Sequence, residues 1–172
     1  MTAPLHSWAH GLKTLRTEAW RRLVRGVHDR RAPARHPTLA TVSPKGQPQL
    51  RTVVLRAVDT ESATVRIYTD LHSSKVSDLR GTPTAALHIW DNAARLQLRL
   101  HADVCILTGA EVATLWAQLP DAGRRTYGSY PPPGQPISES LAYKKAPTQS
   151  AFAVLHLIVM EMDILHLGTE HR

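Results

Sequence analysis

Two arginines five residues apart, in Arg51-Thr52-Val53-Val54-Leu55-Arg56, bracket an apolar stretch of this 172-residue chain. Tyr68-Thr69 and then Ser73-Ser74-Lys75 follow it. Two hydroxyls and a lysine at the start of a helix, joined by an arginine from a neighbouring strand, make a phosphate site. The helix N-terminus adds free N–H groups and the positive end of its dipole. Gln97 sits on the polar side of a long alternating segment and can offer both a donor and an acceptor to a heterocycle edge. Each piece alone has an ordinary explanation. Ser-Ser-Lys is common helix capping, and polar strand faces are usually solvated. Their order along the chain is what points to a ligand. One geometric tension remains in this reading. On a regular strand Arg51 and Arg56 face opposite ways, so one ligand reaches both only through a bulge, a strong twist or a subunit boundary.

Other chemistries find little support. The chain has no GxGxxG, no phosphate-binding P-loop, no GxSxG elbow and no HExxH. His6 and His10 lie one helical turn apart, but no carboxylate or cysteine has suitable spacing beside them, so no metal is expected. The single cysteine, Cys105, cannot form an internal disulfide and fits a reducing cytoplasm. No catalytic base stands out.

The elements that must position these residues read as follows. Leu12, Leu15, Ala19, Leu23 and Val27 recur at helical steps, with Trp8 and Trp20 near the stripe, giving an N-terminal amphipathic helix within residues 1–32. The Arg30–Arg35 stretch reads as a linker to a body spanning 36–172. Strands are expected at His36–Ser43, at Gln49–Val58 as one well-buried strand, and at Ala63–Thr69. A short helix over Ser73–Arg80 closes at Gly81. Strands resume at Thr84–Trp90 and Arg95–Thr108. In the second, Leu96, Leu98, Leu100, Ala102, Val104 and Ile106 face one way, while Arg95, Gln97, Arg99, His101 and Asp103 face the other. Short helices are expected at Ala110–Leu119 and Asp121–Tyr127, then a long irregular loop, Gly128–Pro147. Phe152–Asp163 forms a last strand, with another beginning at Ile164–Leu167. Six or seven mainly antiparallel strands without a βαβ series predict a mainly β (α+β) single domain: a small, closed or split barrel with rim helices.

Length and charge narrow the partners. A chain of 19.1 kDa suits one core. No apolar run is long enough for a membrane helix, and His6, Trp8, His10 and Lys13 stand where an export signal would carry its apolar core. Of the net charge of +7, residues 1–35 supply +6, eight cations against Glu18 and Asp29. The basicity therefore belongs to one helix, not to the body. A helix packed on the barrel with its cations in water explains it; polyanion binding is the competing reading. Aromatic residues make up only 5% of the chain, which argues against nucleic acid.

The order of Arg-x-Val-Val-Leu-Arg, hairpin, Ile-Tyr-Thr-Asp, Ser-Ser-Lys, Ala-Ala-Leu-His-Ile-Trp and Arg-Leu-Gln-Leu-Arg-Leu resembles the pyridoxamine 5′-phosphate oxidase-like flavoproteins. The likeness is to the less characterised branch of that superfamily. It covers His36–Thr108 well and Phe152–Arg172 more weakly. The resemblance implies a split-barrel homodimer binding FMN between subunits, which would also relieve the two-face tension. It makes Arg51 and Lys75 phosphate ligands, helped by Ser73 and Ser74. The oxidase's Arg-Lys pair is here Ser74-Lys75, so one cation is missing. Thr52 lies within the same motif, and Val53 and Val54 would offer backbone groups to the isoalloxazine edge. Arg56 replaces a family lysine, keeping charge but changing reach. Tyr68 and Thr69 match residues beside the ribityl chain and phosphate, and Gln97 matches a flavin-reaching glutamine.

Departures fall on the substrate side. The oxidase's Tyr/Arg/Ser set for the substrate phosphate has no counterpart in order, since Arg124, Arg125, Tyr127 and Ser129 are wrongly arranged. His166 falls where the oxidase has a flavin-contacting tryptophan, and Arg172 near its substrate arginine. Gln149-Ser150 resembles a flavin-contacting pair at the wrong spacing. Arg56, Arg99 and Arg172 are thus the candidates to orient an anionic small-molecule substrate. The expectation is an FMN-dependent oxidoreductase. A flavin-binding or storage protein without turnover and a barrel using haem or a deazaflavin are the alternatives.

Overall fold

The protein, here as a computed structural model, is described over residues 6–167. Its centre is a seven-stranded antiparallel sheet. The strands are β1 (Thr38–Val42), β2 (Pro48–Thr52), β3 (Leu55–Asp59), β4 (Thr64–Asp70), β5 (Thr84–Asp91), β6 (Leu96–Leu107) and, after a two-strand ladder of β7 (Ser129–Tyr130) with β8 (Lys144–Lys145), β9 (Phe152–His166). Their spatial order is β2-β1-β5-β6-β9-β4-β3. The two edges are therefore consecutive in sequence and joined by Val53-Val54 alone.

That connection dictates the shape. Seven flat strands at about 4.8 Å spacing would hold β2 and β3 roughly 29 Å apart. From Thr52 to Leu55 an extended chain reaches about 11 Å. The sheet must curl until its edges approach, which makes it a split barrel. The inside carries Leu39, Leu55, Ile67, Leu87, Leu96, Leu98, Leu100, Leu155 and Leu157, all essentially inaccessible. Strict alternation along β6 puts Leu96, Leu98 and Leu100 in this core and Gln97, Arg99 and His101 outside.

Several expectations need correcting. Gln49–Val58 is not one strand: it breaks at Val53-Val54, and this break, not an extra strand after Ile164, supplies the seventh strand. Phe152–His166 is instead a single strand with Met160 as an extra residue between pairs His101↔Glu161 and Ala102↔Val159. Gly81 ends the helix α2 (Ser74–Gly81) from inside, with Thr82 as the cap. The supposed Arg30–Arg35 linker is a packed turn. Ala32 and Ala34 are buried, a Cβ on Gly26 would meet Ala34 at 2.7 Å, and Arg35 donates to the carbonyls of Val27 (2.8 Å) and Leu55 (3.3 Å).

Helix α1 (Leu12–His28) packs on the barrel through Ala19, Trp20 and Leu23, in the same core cluster as the strands. Leu12 is an exception to the apolar stripe and stays exposed. The cationic side is tied down by Glu18, which pairs with Arg21 and Arg22, while Arg22 also reaches Asp91. These two arginines hold the Glu18 carboxyl below the usual range. Beyond β6, α3 (Ala113–Gln118) packs through Leu115 and Trp116 on a second small cluster of Val112, Tyr127, Phe152 and Val154, and α4 (Asp121–Arg124) follows it. No helix among the described residues is long and apolar enough to cross a membrane.

Candidate functional site

The break after Thr52 resolves the tension between Arg51 and Arg56. Arg51 belongs to β2 and pairs with Leu39 of β1, a core residue, so its side chain enters the barrel interior. Arg56 belongs to β3 at the other sheet edge. There the pairing shifts from Leu55↔Ile67 to Ala57↔Arg66, so Arg56 is the extra residue of a bulge. Both a bulge and a barrel edge intervene between residues that a regular strand would have placed back to back.

Arg51 converges with the mouth of α2. Its Nη1 lies 2.5 Å from Thr41 Oγ1 and its Nη2 is 3.2 Å from Asp78 Oδ2, while Thr41 Oγ1 also donates to Asp78 Oδ2 at 2.7 Å. From the other side Lys75 Nζ donates to Thr69 Oγ1 at 3.1 Å, and Thr69 and Ser73 hydroxyls are 3.2 Å apart. Thr41, Thr69, Ser73 and Asp78 are each at most 5% exposed. Burial, then the nearby Arg51 cation, push the Lys75 ammonium below the usual lysine range, with Asp70 and Asp78 opposing them.

Ser73 precedes α2 with an extended backbone but makes no capping hydrogen bond. Its hydroxyl is committed to Thr69. Ordinary capping is thus not what Ser-Ser-Lys does here, and the first-turn N–H groups have no side-chain cap. Ser74 is exposed at this mouth. An uncapped helix start flanked by an arginine, a lysine and hydroxyls has the donor set a phosphate monoester needs. The residues present therefore fit the phosphate end of FMN.

Asp70 fixes the same mouth to the long loop. It accepts from the His72 N–H at 2.8 Å and from the Gly128 N–H at 2.7 Å. The loop comes back over α2, where a Cβ on Gly134 would lie 4.0 Å from Ser74 Oγ. Asp70, Thr41 and Asp78 were not singled out from sequence. The signal for Asp78 was its place one helical turn after Lys75; Thr41 becomes visible only once β1 and β2 are paired.

A second group of side chains lies on the outside of β4. Tyr68 faces opposite to its neighbour Thr69 and packs edge-on against Phe152 at 5.3 Å. Arg56 lies over the Tyr68 ring at 5.7 Å, and its Nε is buried without a hydrogen-bond partner. Tyr127 is buried beside them. Burial pushes its phenol up, and the Arg56 cation acts against that. Tyr127 thus reaches Arg56 although its order in the chain does not match the family's substrate set. Arg124 is engaged elsewhere, donating to the carbonyls of Trp116 (3.2 Å) and Ala117 (2.8 Å).

The remaining expected residues do not join these groups. Thr52 is exposed, and the Val53 N–H is already bonded to the Pro37 carbonyl at 3.0 Å, so it is not free for a flavin edge. Gln97 lies on the outer barrel face, with Oε1 3.3 Å from His88 Nε2. Arg99, on the same face, is ion-paired with Asp163. His166 is buried beneath the N-terminal turn, 5.2 Å from Trp8 and 6.0 Å from His6 between ring centroids. Arg172 lies outside the described residues.

Comparison with known proteins agrees with this geometry. The sequence model of the pyridoxamine 5′-phosphate oxidase FMN-binding domain matches residues 17–108. A pyridoxine/pyridoxamine 5′-phosphate oxidase of Microcystis aeruginosa is 35% identical over 82 residues, which are 48% of this chain and 37% of that protein. The chain therefore aligns with well under half the length of this curated relative. A pyridoxamine 5′-phosphate oxidase-related, FMN-binding protein of Nostoc punctiforme superposes with a TM-score of 0.74 at 28% identity, covering 98% of this chain and 90% of that one. PhzG of Burkholderia lata, solved with tetrahydrophenazine-1-carboxylic acid, superposes at 0.65 with 17% identity, over 96% and 82% of the two chains.

Proposed function

Because this chain belongs to the pyridoxamine 5′-phosphate oxidase FMN-binding family, we propose that it is an FMN-dependent oxidoreductase acting on a small anionic molecule. The observation that carries the reading is the uncapped start of α2 with Arg51 and Lys75 at its mouth. Arg51, Lys75, Ser74 and the α2 amides hold the cofactor phosphate, with Thr69 and Ser73 setting the lysine in place. Val54, Arg56 and Tyr68 are the residues that would border the flavin ring. FMN supplies hydride acceptance and donation, so the protein's task is orientation and electrostatics. Arg56, with an unpartnered buried Nε and Tyr127 beside it, orients the substrate anion. Arg99 contributes less, since Asp163 already neutralises it.

We further propose a homodimer. Gln97 lies on the outer face of β6, where its described hydrogen-bond partner is His88 and not one of the groups around Arg51, Lys75 or Arg56. A second copy supplies the glutamine. The outer face suits such a partner: Leu50 is 68% and Met160 62% exposed, with Val42, Trp90 and Ile158 also uncovered. Ala40, Val42, Ala86 and Met160 line a groove of about 470 Å³ there. The unpaired Cys105 suits a cytoplasmic dimer.

The test is the chromophore and its phosphate. Purified protein is expected to be yellow and to release FMN on denaturation. Arg51→Ala combined with Lys75→Ala should weaken FMN binding by a hundredfold or more, from two charge-assisted contacts of about 1.5–3 kcal/mol each. Riboflavin binding should change only a few-fold. Equal loss of both flavins overturns the phosphate assignment. Anaerobic reduction by NADH or NADPH, then reoxidation by candidate acceptors, separates turnover from storage.

A further inference from the structure

We infer that Asp78, acting through Thr41, is a positioning residue that aims Arg51 at the cofactor phosphate and so sets the preference for FMN over riboflavin. The inference rests on the phosphate reading above and adds to it a residue of opposite charge.

A buried carboxylate is an unexpected component for a site that takes a dianion. Arg51 and Lys75 bring two positive charges, and Asp70 and Asp78 two negative ones, so the four groups cancel formally. The family's second cation at position 74 is a serine here. Bulk attraction therefore contributes little, and phosphate affinity must come from aimed hydrogen bonds. Directed bonds demand that the donors be fixed before the ligand arrives.

Asp78 and Thr41 provide that fixation. Asp78 Oδ2 accepts from both Arg51 Nη2 (3.2 Å) and Thr41 Oγ1 (2.7 Å), and Thr41 Oγ1 touches Arg51 Nη1 (2.5 Å). Two of the guanidinium nitrogens are thus held by one rigid pair. The pair itself is anchored on different elements, Thr41 on β1 and Asp78 on α2, the helix whose N-terminus receives the phosphate. Both are buried, at 3% and 4% exposure, whereas the Arg51 side chain keeps 20% exposed. The arginine is therefore clamped by buried groups, with the Gln49 carbonyl also 3.3 Å from Nη1, while part of its side chain stays open to solvent for a ligand. Asp70 does not share this task, because both its oxygens serve backbone N–H groups.

Two physical effects predict opposite signs when Asp78 is removed. If the carboxylate acted only as a nearby charge, Asp78→Ala would make the mouth more positive and tighten FMN. If it positions Arg51, the same change loosens the clamp and weakens FMN while leaving riboflavin alone. The experiment measures FMN and riboflavin affinities by flavin fluorescence for Asp78→Ala, Thr41→Val and Thr41→Ser in the full chain. Thr41→Val leaves the charge untouched and guards against a folding defect in the first variant. The expected result is a fall of about tenfold or more in the FMN-to-riboflavin affinity ratio for Asp78→Ala and Thr41→Val, with Thr41→Ser near the parent. An unchanged or tighter FMN affinity in both overturns the inference. So does parallel loss of both flavins, which marks a purely structural role. Arg51→Ala is measured alongside: if it leaves the ratio unmoved, the phosphate reading itself fails, a result distinct from the failure of Asp78 alone.

Discussion

The mouth of α2 and the outer face around Gln97 use similar side chains in opposite ways. At the mouth, polar groups are buried or half-buried, bonded to one another and anchored on four elements of one chain: Thr41 on β1, Arg51 on β2, Thr69 on β4, Lys75 and Asp78 on α2. On the outer face, Gln97 meets His88 at 3.3 Å, and farther along the same face Leu50, Ile158 and Met160 are exposed. The first region is complete in the monomer. The second has the composition of a surface awaiting a partner: uncovered Leu50 and Met160 beside polar groups that still have bonding capacity. A phosphate is small and can be held by one chain, whereas in the proposed dimer the ring side of the site would be finished by a second chain.

The largest effect tests that division at its open side. Leu50→Asp with Met160→Asp should raise the dimer dissociation constant by about a thousandfold. Each substitution loses about 2 kcal/mol of apolar burial and adds a carboxylate that must be desolvated. Sedimentation at several concentrations reads this, and the diluted variant should lose its flavin with its partner. A double variant that stays dimeric and yellow shows that the outer face is not the joint.

Gln97→Ala should be milder, weakening flavin binding about tenfold. Its signature is the lack of discrimination. FMN and riboflavin should lose equally, because in the proposed site the glutamine addresses the ring and not the phosphate. Mouth variants must show the reverse pattern. A Gln97→Ala protein that loses FMN but keeps riboflavin erases the contrast between the two regions.

How much of this was legible in the sequence depends on whether a residue's role is local. The β6 alternation placed Leu96 to Val104 inside and Gln97 to Asp103 outside, because a period of two on a half-buried strand leaves no other choice. Ser73-Ser74-Lys75 likewise marked the start of α2. What stayed hidden was long-range. The break at Val53-Val54 lies inside an unbroken β-branched run that reads locally as strand, and only closure of the barrel forces it. Thr41 and Asp78 are 37 residues apart, so their contact is invisible until β1 and α2 pack. Arg30–Arg35 carried loop composition, yet Ala32 and Ala34 are small enough to lie flat on Gly26, and burial overrode composition. His166 fell at a flavin position by order along the chain, but the start of the chain folds over it.

The smallest effect concerns a proton at the mouth. Lys75 is held below the usual lysine range by burial first and by Arg51 second. Between that depressed value and the ordinary one, the unfolded chain binds more protons than the folded apoprotein. Apoprotein stability must therefore rise with pH across that window, and Lys75→Met should flatten the slope. A bound phosphate dianion reverses the bias, because it favours the charged ammonium. FMN binding within that window, above the second phosphate ionisation at about 6, should then take up a fraction of a proton. Calorimetry in buffers of different ionisation enthalpy measures the uptake directly. Riboflavin, lacking the phosphate, should show none, and Lys75→Met should remove it for FMN. Equal uptake with both flavins would place the titrating group beside the ring, on the Gln97 side of the comparison, and take Lys75 out of the phosphate site.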